Sequence, residues 1–178
     1  MSKRFSPISR TVVLLISSFF LVAPLLSTQT IQAANDRISV TGSFEMNNQT
    51  TNCNSPIGIC LSGKISGNLL NGTVSAQANT IQEVDDNSGN PIAYILTGAA
   101  SITTTHGTLT GNAYFYQDYP ALTSHGTLTI TGGTKRYKKT TGTLTINEPT
   151  PPTTFPDGVQ TFYYNGSLSK DAGDNGNN

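Results

Sequence analysis

Between Ile38 and Leu168, apolar and polar residues alternate with period two in short runs broken by turn residues. The clearest run is Gly126-Thr-Leu-Thr-Ile130, which returns as Gly142-Thr-Leu-Thr-Ile146. Leu128 and Ile130 share one face, as do Leu144 and Ile146. Thr127, Thr129, Thr143 and Thr145 take the other face. A shorter copy, Gly107-Thr-Leu-Thr110, stands upstream. Such alternation predicts half-buried antiparallel strands with one apolar face.

Extended along the chain, the pattern predicts eight strands. The first carries Ile38, Val40, Phe44 and Met46, with Gly42 on the same side and Glu45 turned away. Leu61–Ser66 is the second, and Asn71-Gly72 marks a hairpin turn after it. The third, Thr73–Val84, changes parity near Ile81, which predicts a bulge. Pro91 opens the fourth, whose face is Ile92, Tyr94, Leu96, Gly98, Ala100 and Ile102. Gly107–Tyr116, Ala121–Thr131, Gly142–Asn147 and Asp157–Ser169 complete the set. Glu148–Pro156 contains Pro149, Pro151, Pro152 and Pro156 and predicts an extended loop. No long stretch has a 3.6-residue period.

The expectation is therefore an all-β chain forming a single antiparallel eight-stranded β-barrel, a domain spanning 38–169, with a disordered tail over 170–178. Small residues on the inward faces, among them Ala76, Ala78, Gly111 and Ala113, favour a closed barrel over a sandwich.

The first 34 residues read differently. A basic start (Lys3, Arg4, Arg10) leads into an apolar run from Val12 to Leu26 and a small-residue exit at Ala33-Ala34. That order predicts a secretory signal peptide over 1–34. The run is shorter than the roughly 20 residues of a membrane span and contains Pro24. Cleavage would remove three of the ten cations and none of the ten acids. The remainder is mildly acidic, which disfavours a general nucleic-acid role, and no membrane association is expected after cleavage. In a secreted chain, Cys53 and Cys60 are expected to form a structural disulfide around a short loop. The alternatives are weaker, because two thiols without a nearby His lack a metal ligand set and the spacing is not Cys-x-x-Cys.

The segment Gly132-Gly-Thr-Lys-Arg-Tyr137-Lys-Lys-Thr-Thr-Gly142 resembles a signature of the allene oxide cyclase and dirigent-like barrels, Gly-Gly-Thr-Gly-x-Tyr/Phe followed after four residues by Gly. Gly132, Gly133, Thr134, Tyr137 and Gly142 match, and Lys135 stands where the family usually has a third glycine. The resemblance implies an eight-stranded barrel with this motif at a corner late in the chain. It also implies a range of roles, from isomerising cyclases to coupling-directing proteins without an oxidative centre. No catalytic residue carries over, because none lies inside the matched motif.

Candidate chemistry is sparse. If the barrel encloses a small apolar ligand, Ile92, Tyr94, Leu96, Leu109, Phe115, Leu128, Ile130 and Leu144 are the residues expected to line its pocket. Filling by side chains alone would exclude that role. Glu83 is a weak catalytic candidate, usable as a buried acid only if the bulge turns it inward. A solvated strand-end carboxylate is the ordinary reading. His106 and His125 both precede Gly-Thr-Leu-Thr and are read as outward neighbours without an obvious third metal ligand. Lys135, Arg136, Lys138 and Lys139 form a basic turn open to anions or simply to water. Neither a cofactor nor a metal is expected, since no phosphate-cradling, zinc-binding or nucleophile-elbow motif occurs. Two alternatives to ligand binding stand beside it. One is an isomerase or cyclase acting on an unsaturated lipid or polyketide-like substrate. The other is a surface-interaction protein that forms homo-oligomers through outward Tyr and Thr faces.

Overall fold

A computed structural model describes residues 37–49, 51–119, 121–148 and 159–169. The leader over 1–34 and the tail over 170–178 lie outside the described residues. The chain runs β1 (Arg37–Asn48), β2 (Cys60–Gly67), β3 (Gly72–Asp85), β4 (Pro91–Thr104) and β5 (Gly107–Asp118). It continues through β6 (Ser124–Gly133), a 3-10 turn (Lys135–Tyr137), β7 (Gly142–Glu148) and β8 (Gln160–Ser169). Each strand pairs antiparallel with the next, and β8 returns to β1, so the sheet closes into an eight-stranded barrel.

The threonine-leucine repeats pair with one another. Leu128 lies opposite Leu144, Thr127 opposite Thr145 and Thr129 opposite Thr143. Leu128 and Leu144 are buried and the paired threonines point outward. Most strand ends shift by one or two residues, and two starts shift further. The sixth strand begins at Ser124 rather than Ala121, and the eighth begins at Gln160. The bulge in β3 falls at Asn79, where the register to β4 slips between Ala78 and Thr80. Beyond it the inward parity changes, so Ile81 faces Leu96 and Glu83 faces Tyr94.

Tight curvature needs places without a side chain. Gly42 and Gly67 lie opposite each other on β1 and β2, and a Cβ on either would collide with backbone carbonyls and with the Tyr164 hydroxyl. That hydroxyl rests against the Ser66 carbonyl at 3.5 Å, and burial pushes its pKa up to about 12.

One end of the barrel is filled. Val40, Leu70, Leu109 and Leu168 are almost wholly buried there. The β6–β7 turn folds across this end and inserts Tyr137, which is 4% exposed. Thr104 Oγ1 donates to the Tyr137 hydroxyl at 3.2 Å. Thr134 ties the turn to β5 twice: its amide donates to the Thr108 carbonyl at 2.8 Å, and its Oγ1 accepts from the Thr108 amide at 3.1 Å. The Gly-Gly-Thr…Tyr motif thus supplies a plug.

Lys135 in that turn has φ +50°, a left-handed backbone that a side chain disfavours. A lysine therefore occupies a position whose conformation suits glycine. Lys135→Gly should raise unfolding stability by a few tenths to about 1 kcal/mol, the strain relief being partly offset by the freer unfolded chain. Equilibrium denaturation checks this, and a loss of stability would show that the lysine side chain contributes more than its backbone costs.

Candidate functional site

The opposite end of the barrel is open and hollow. A cavity of about 440 Å³ enters there between the ends of the strands. Two kinds of wall produce it. On one side, Phe44 and Phe162 stack with centroids 5.0 Å apart, and Phe115 meets Phe162 edge-on at 6.0 Å. On the other side, β3, β4 and β5 present Ala76, Ala78, Gly98, Ala100 and Ala113. These small side chains cannot reach across to the aromatic wall, so space remains between the walls. The barrel therefore contains a packed half and a hollow half.

Of the residues expected from sequence at the pocket, Tyr94, Leu96, Phe115, Leu128 and Leu144 line the cavity. Leu109 and Ile130 are 0% and 2% exposed in the core and are not among the lining residues. They belong to the filled half. Ile92 has the inward parity but sits at the start of β4, beyond the body of the barrel. It is 41% exposed and does not line the cavity, which corrects its assignment to the pocket.

The mouth is built from three features. β2 pairs with β3 only as far as Gln77, so Thr80–Asp85 of β3 pair with β4 alone and project past the rim. This places Ile81, 48% exposed, at the entrance. The loop between Cys53 and Cys60 is closed by a disulfide with Cα atoms 5.6 Å apart and brings Ile59 to the cavity. Chain-entropy arithmetic gives such a short loop about 2–3 kcal/mol of stabilisation. The β5–β6 loop contributes Tyr119 and Leu122, the latter held at φ +59°. Non-glycine residues in that conformation mark a backbone constrained by its surroundings.

The bulge does turn Glu83 to the inward parity, opposite Tyr94, but on the projecting hairpin where Glu83 is exposed. Partial burial, together with the Glu83 carboxylate beside it, raises the Tyr94 hydroxyl pKa. His106 and His125 are not neighbours. His106 lies in the β4–β5 turn at the filled end, whereas His125 lies near the mouth with its ring 5.0 Å from that of Tyr116. Equal offsets in successive antiparallel strands fall at opposite ends of the sheet, which is why the repeat misled. Lys135, Arg136, Lys138 and Lys139 sit at the filled end, away from the cavity. Tyr114 and Tyr163 are 43% and 53% exposed on the outer surface. Among the described residues no group of three metal-ligating side chains occurs, and no helix is long and apolar enough to cross a membrane.

The sequence reading misses Glu148. The prolines that follow make it look like the start of a loop, but it is the last residue of β7 and pairs with Ser124 of β6. Its inward parity continues Gly142, Leu144 and Ile146. Leu144, Ile146 and Ser124 all line the cavity, and Glu148, one step further along β7, lies just outside its lining. Glu148 is 3% exposed, and neither carboxylate oxygen has a hydrogen-bond partner. Burial raises its pKa, with the Ser124 hydroxyl opposing that only in part, from outside ordinary hydrogen-bond geometry. The one signal in the sequence was that Glu148 extends the period of Gly142-Thr-Leu-Thr-Ile146 by a single step.

No family model, curated protein or solved structure matches the chain. The eight-stranded antiparallel barrel implied by the motif resemblance is present; membership of the allene oxide cyclase or dirigent families does not follow from it.

A buried carboxyl whose folded pKa is raised opposes folding when it ionises. Below about pH 4 it is protonated in both folded and unfolded chains and costs little. The cost develops as pH rises through the folded pKa and is complete above it. Glu148→Gln, which keeps the shape and cannot ionise, should therefore be more stable than wild type by roughly 1 kcal/mol at pH 7–8. The gap should close below about pH 4. Denaturant titrations of both proteins across that range check the sign, and a wild-type advantage that grows with pH would show that the carboxylate is stabilised.

Proposed function

We propose that this protein is a small secreted barrel that binds or shields an apolar molecule in its open half. The observation that supports this best is the cavity itself. Eight strands of this length can be filled completely by side chains, and the filled half shows this chain doing so. The hollow half instead presents apolar walls, a size within the range of small-molecule sites and a few polar groups at its rim. The signal-peptide-like leader and the Cys53–Cys60 disulfide support an oxidising, extracytoplasmic setting.

A second reading is an isomerase or cyclase for an unsaturated lipid or polyketide-like substrate. One observation favours it: Glu148 sets an acid on the inward face beside the cavity, where a proton donor is useful. Turnover of such a substrate that disappears in Glu148→Gln would support it.

Ala100 lines the cavity, with Ala76 on one neighbouring strand and Gly111 on the other. Ala100→Phe should fill the space and weaken binding of a neutral fluorescent apolar probe at least about tenfold, since each 1.4 kcal/mol of lost contact is a factor of ten. Far-ultraviolet circular dichroism should stay unchanged. Undiminished probe binding in a folded Ala100→Phe protein would place the probe elsewhere and remove the support for this function.

A further inference from the structure

We propose that the molecule taken up by the cavity is an amphiphilic cation, an apolar body carrying one protonated amine, and that the amine docks on Glu148. This rests on the ligand-binding reading above and adds the chemistry of the ligand's head.

Two independent observations lead to it. The first is Glu148. It is 3% exposed and both oxygens lack a partner; it does not itself line the cavity, but strand alternation gives it the inward parity of Leu144 and Ile146 and pairing sets it opposite Ser124, all three of which do. A carboxylate removed from water without a donor is costly. An ammonium group supplies both the missing donor and the opposite charge, the strong form of such a bond. An ionised fatty acid supplies neither and adds like-charge repulsion.

The second observation is the placement of charge along the barrel. Among the described residues, Glu83, Asp85, Asp86, Asp118 and Glu148 lie at the open end. Arg37, Lys135, Arg136, Lys138 and Lys139 lie at the filled end. The remaining pair, Glu45 and Lys64, face each other across β1 and β2. Asp118 lines the cavity itself, while Asp86 is engaged in its own turn by the Ser88 and Asn90 amides. Among the described residues the mouth is therefore acidic and the far end basic. Such a field concentrates cations at the entrance and turns anions away. Among the described residues that line the cavity, Asp118 at the rim is the one that carries a charge, which confines the ligand's polar head to the opening.

The test is competition. The full secreted protein is loaded with the neutral probe N-phenyl-1-naphthylamine at pH 7.5 and low salt. It is then titrated with decylamine, decanol and decanoate below their micellar concentrations. These share a chain and differ only in the head. Decylamine should displace the probe at about a tenfold lower concentration than decanol, the scale of one charge-assisted hydrogen bond, and decanoate should be the weakest. In Glu148→Gln the amine should fall to the level of the alcohol, with decanol unchanged. Equal displacement by all three, or a preference for decanoate, would overturn the cation assignment while leaving apolar binding intact, and an amine preference that survives Glu148→Gln would overturn Glu148 as the group on which the amine docks. Failure of the probe to bind wild-type protein at all would overturn the ligand-binding reading, and the cation assignment with it.

Discussion

Pairing of β8 with β1 is the constraint on which the rest depends. From Arg37↔Ser169 to Met46↔Gln160 the two ends of the sheet are joined in register, so the body of the barrel has no free edge and only the projecting end of β3 is paired on one side. A chain this rich in threonine and short strands would otherwise expose a template for edge-to-edge association. Closure also fixes which way every side chain points. Once the ring is complete, the inward faces of all eight strands share one enclosed volume, and what fills that volume is decided by side-chain size alone.

The volume is shared unequally. At the filled end, leucine, isoleucine and valine side chains meet, and Tyr137 closes what they leave. At the open end, phenylalanines on β1, β5 and β8 face alanines and glycines on β3, β4 and β5. The same small residues that let the sheet curl also withhold the side chains that would fill it. Curvature and hollowness therefore have one cause here, and the cavity lies where small residues cluster on consecutive strands.

Most of the architecture is legible in the sequence because it rests on period two. The Gly-Thr-Leu-Thr-Ile copies, the turn at Asn71-Gly72 and the parity break before Ile81 each state a local geometry that closure leaves intact. Lys135 was legible in a different way: a motif position that asks for glycine carries a lysine, and its backbone is left-handed nonetheless. What was not legible depends on position along the barrel axis. Leu109 and Leu128 have the same pattern around them, yet one lies in the filled half and the other lines the cavity, because each strand enters the barrel at a different height. Ile92 has the right parity and the wrong height. His106 and His125 share a motif offset and lie at opposite ends because successive strands run in opposite directions. Glu148 was hidden by its neighbours, since the proline-rich segment that follows outweighed the alternation that precedes it.

The location of the unfavourable features is itself informative. A hollow half forfeits dispersion contacts that a filled barrel would make. A buried carboxyl without a partner adds a desolvation cost. Leu122 is held at positive φ, and Ile81 is left half in water. Each is tolerable alone, and sequences under selection for stability alone tend to lose such features when they are easily repaired. Here repair is simple in principle: a larger residue at Ala100, a glutamine at 148. All four features lie at the open end, while the other end carries the strained backbone of Lys135 and the buried, unpartnered hydroxyl of Thr140. Departures from local consistency tend to gather where a protein binds something. The larger costs, an unfilled volume and an unpaired carboxyl, therefore sit at the mouth, which is where the proposed ligand would enter.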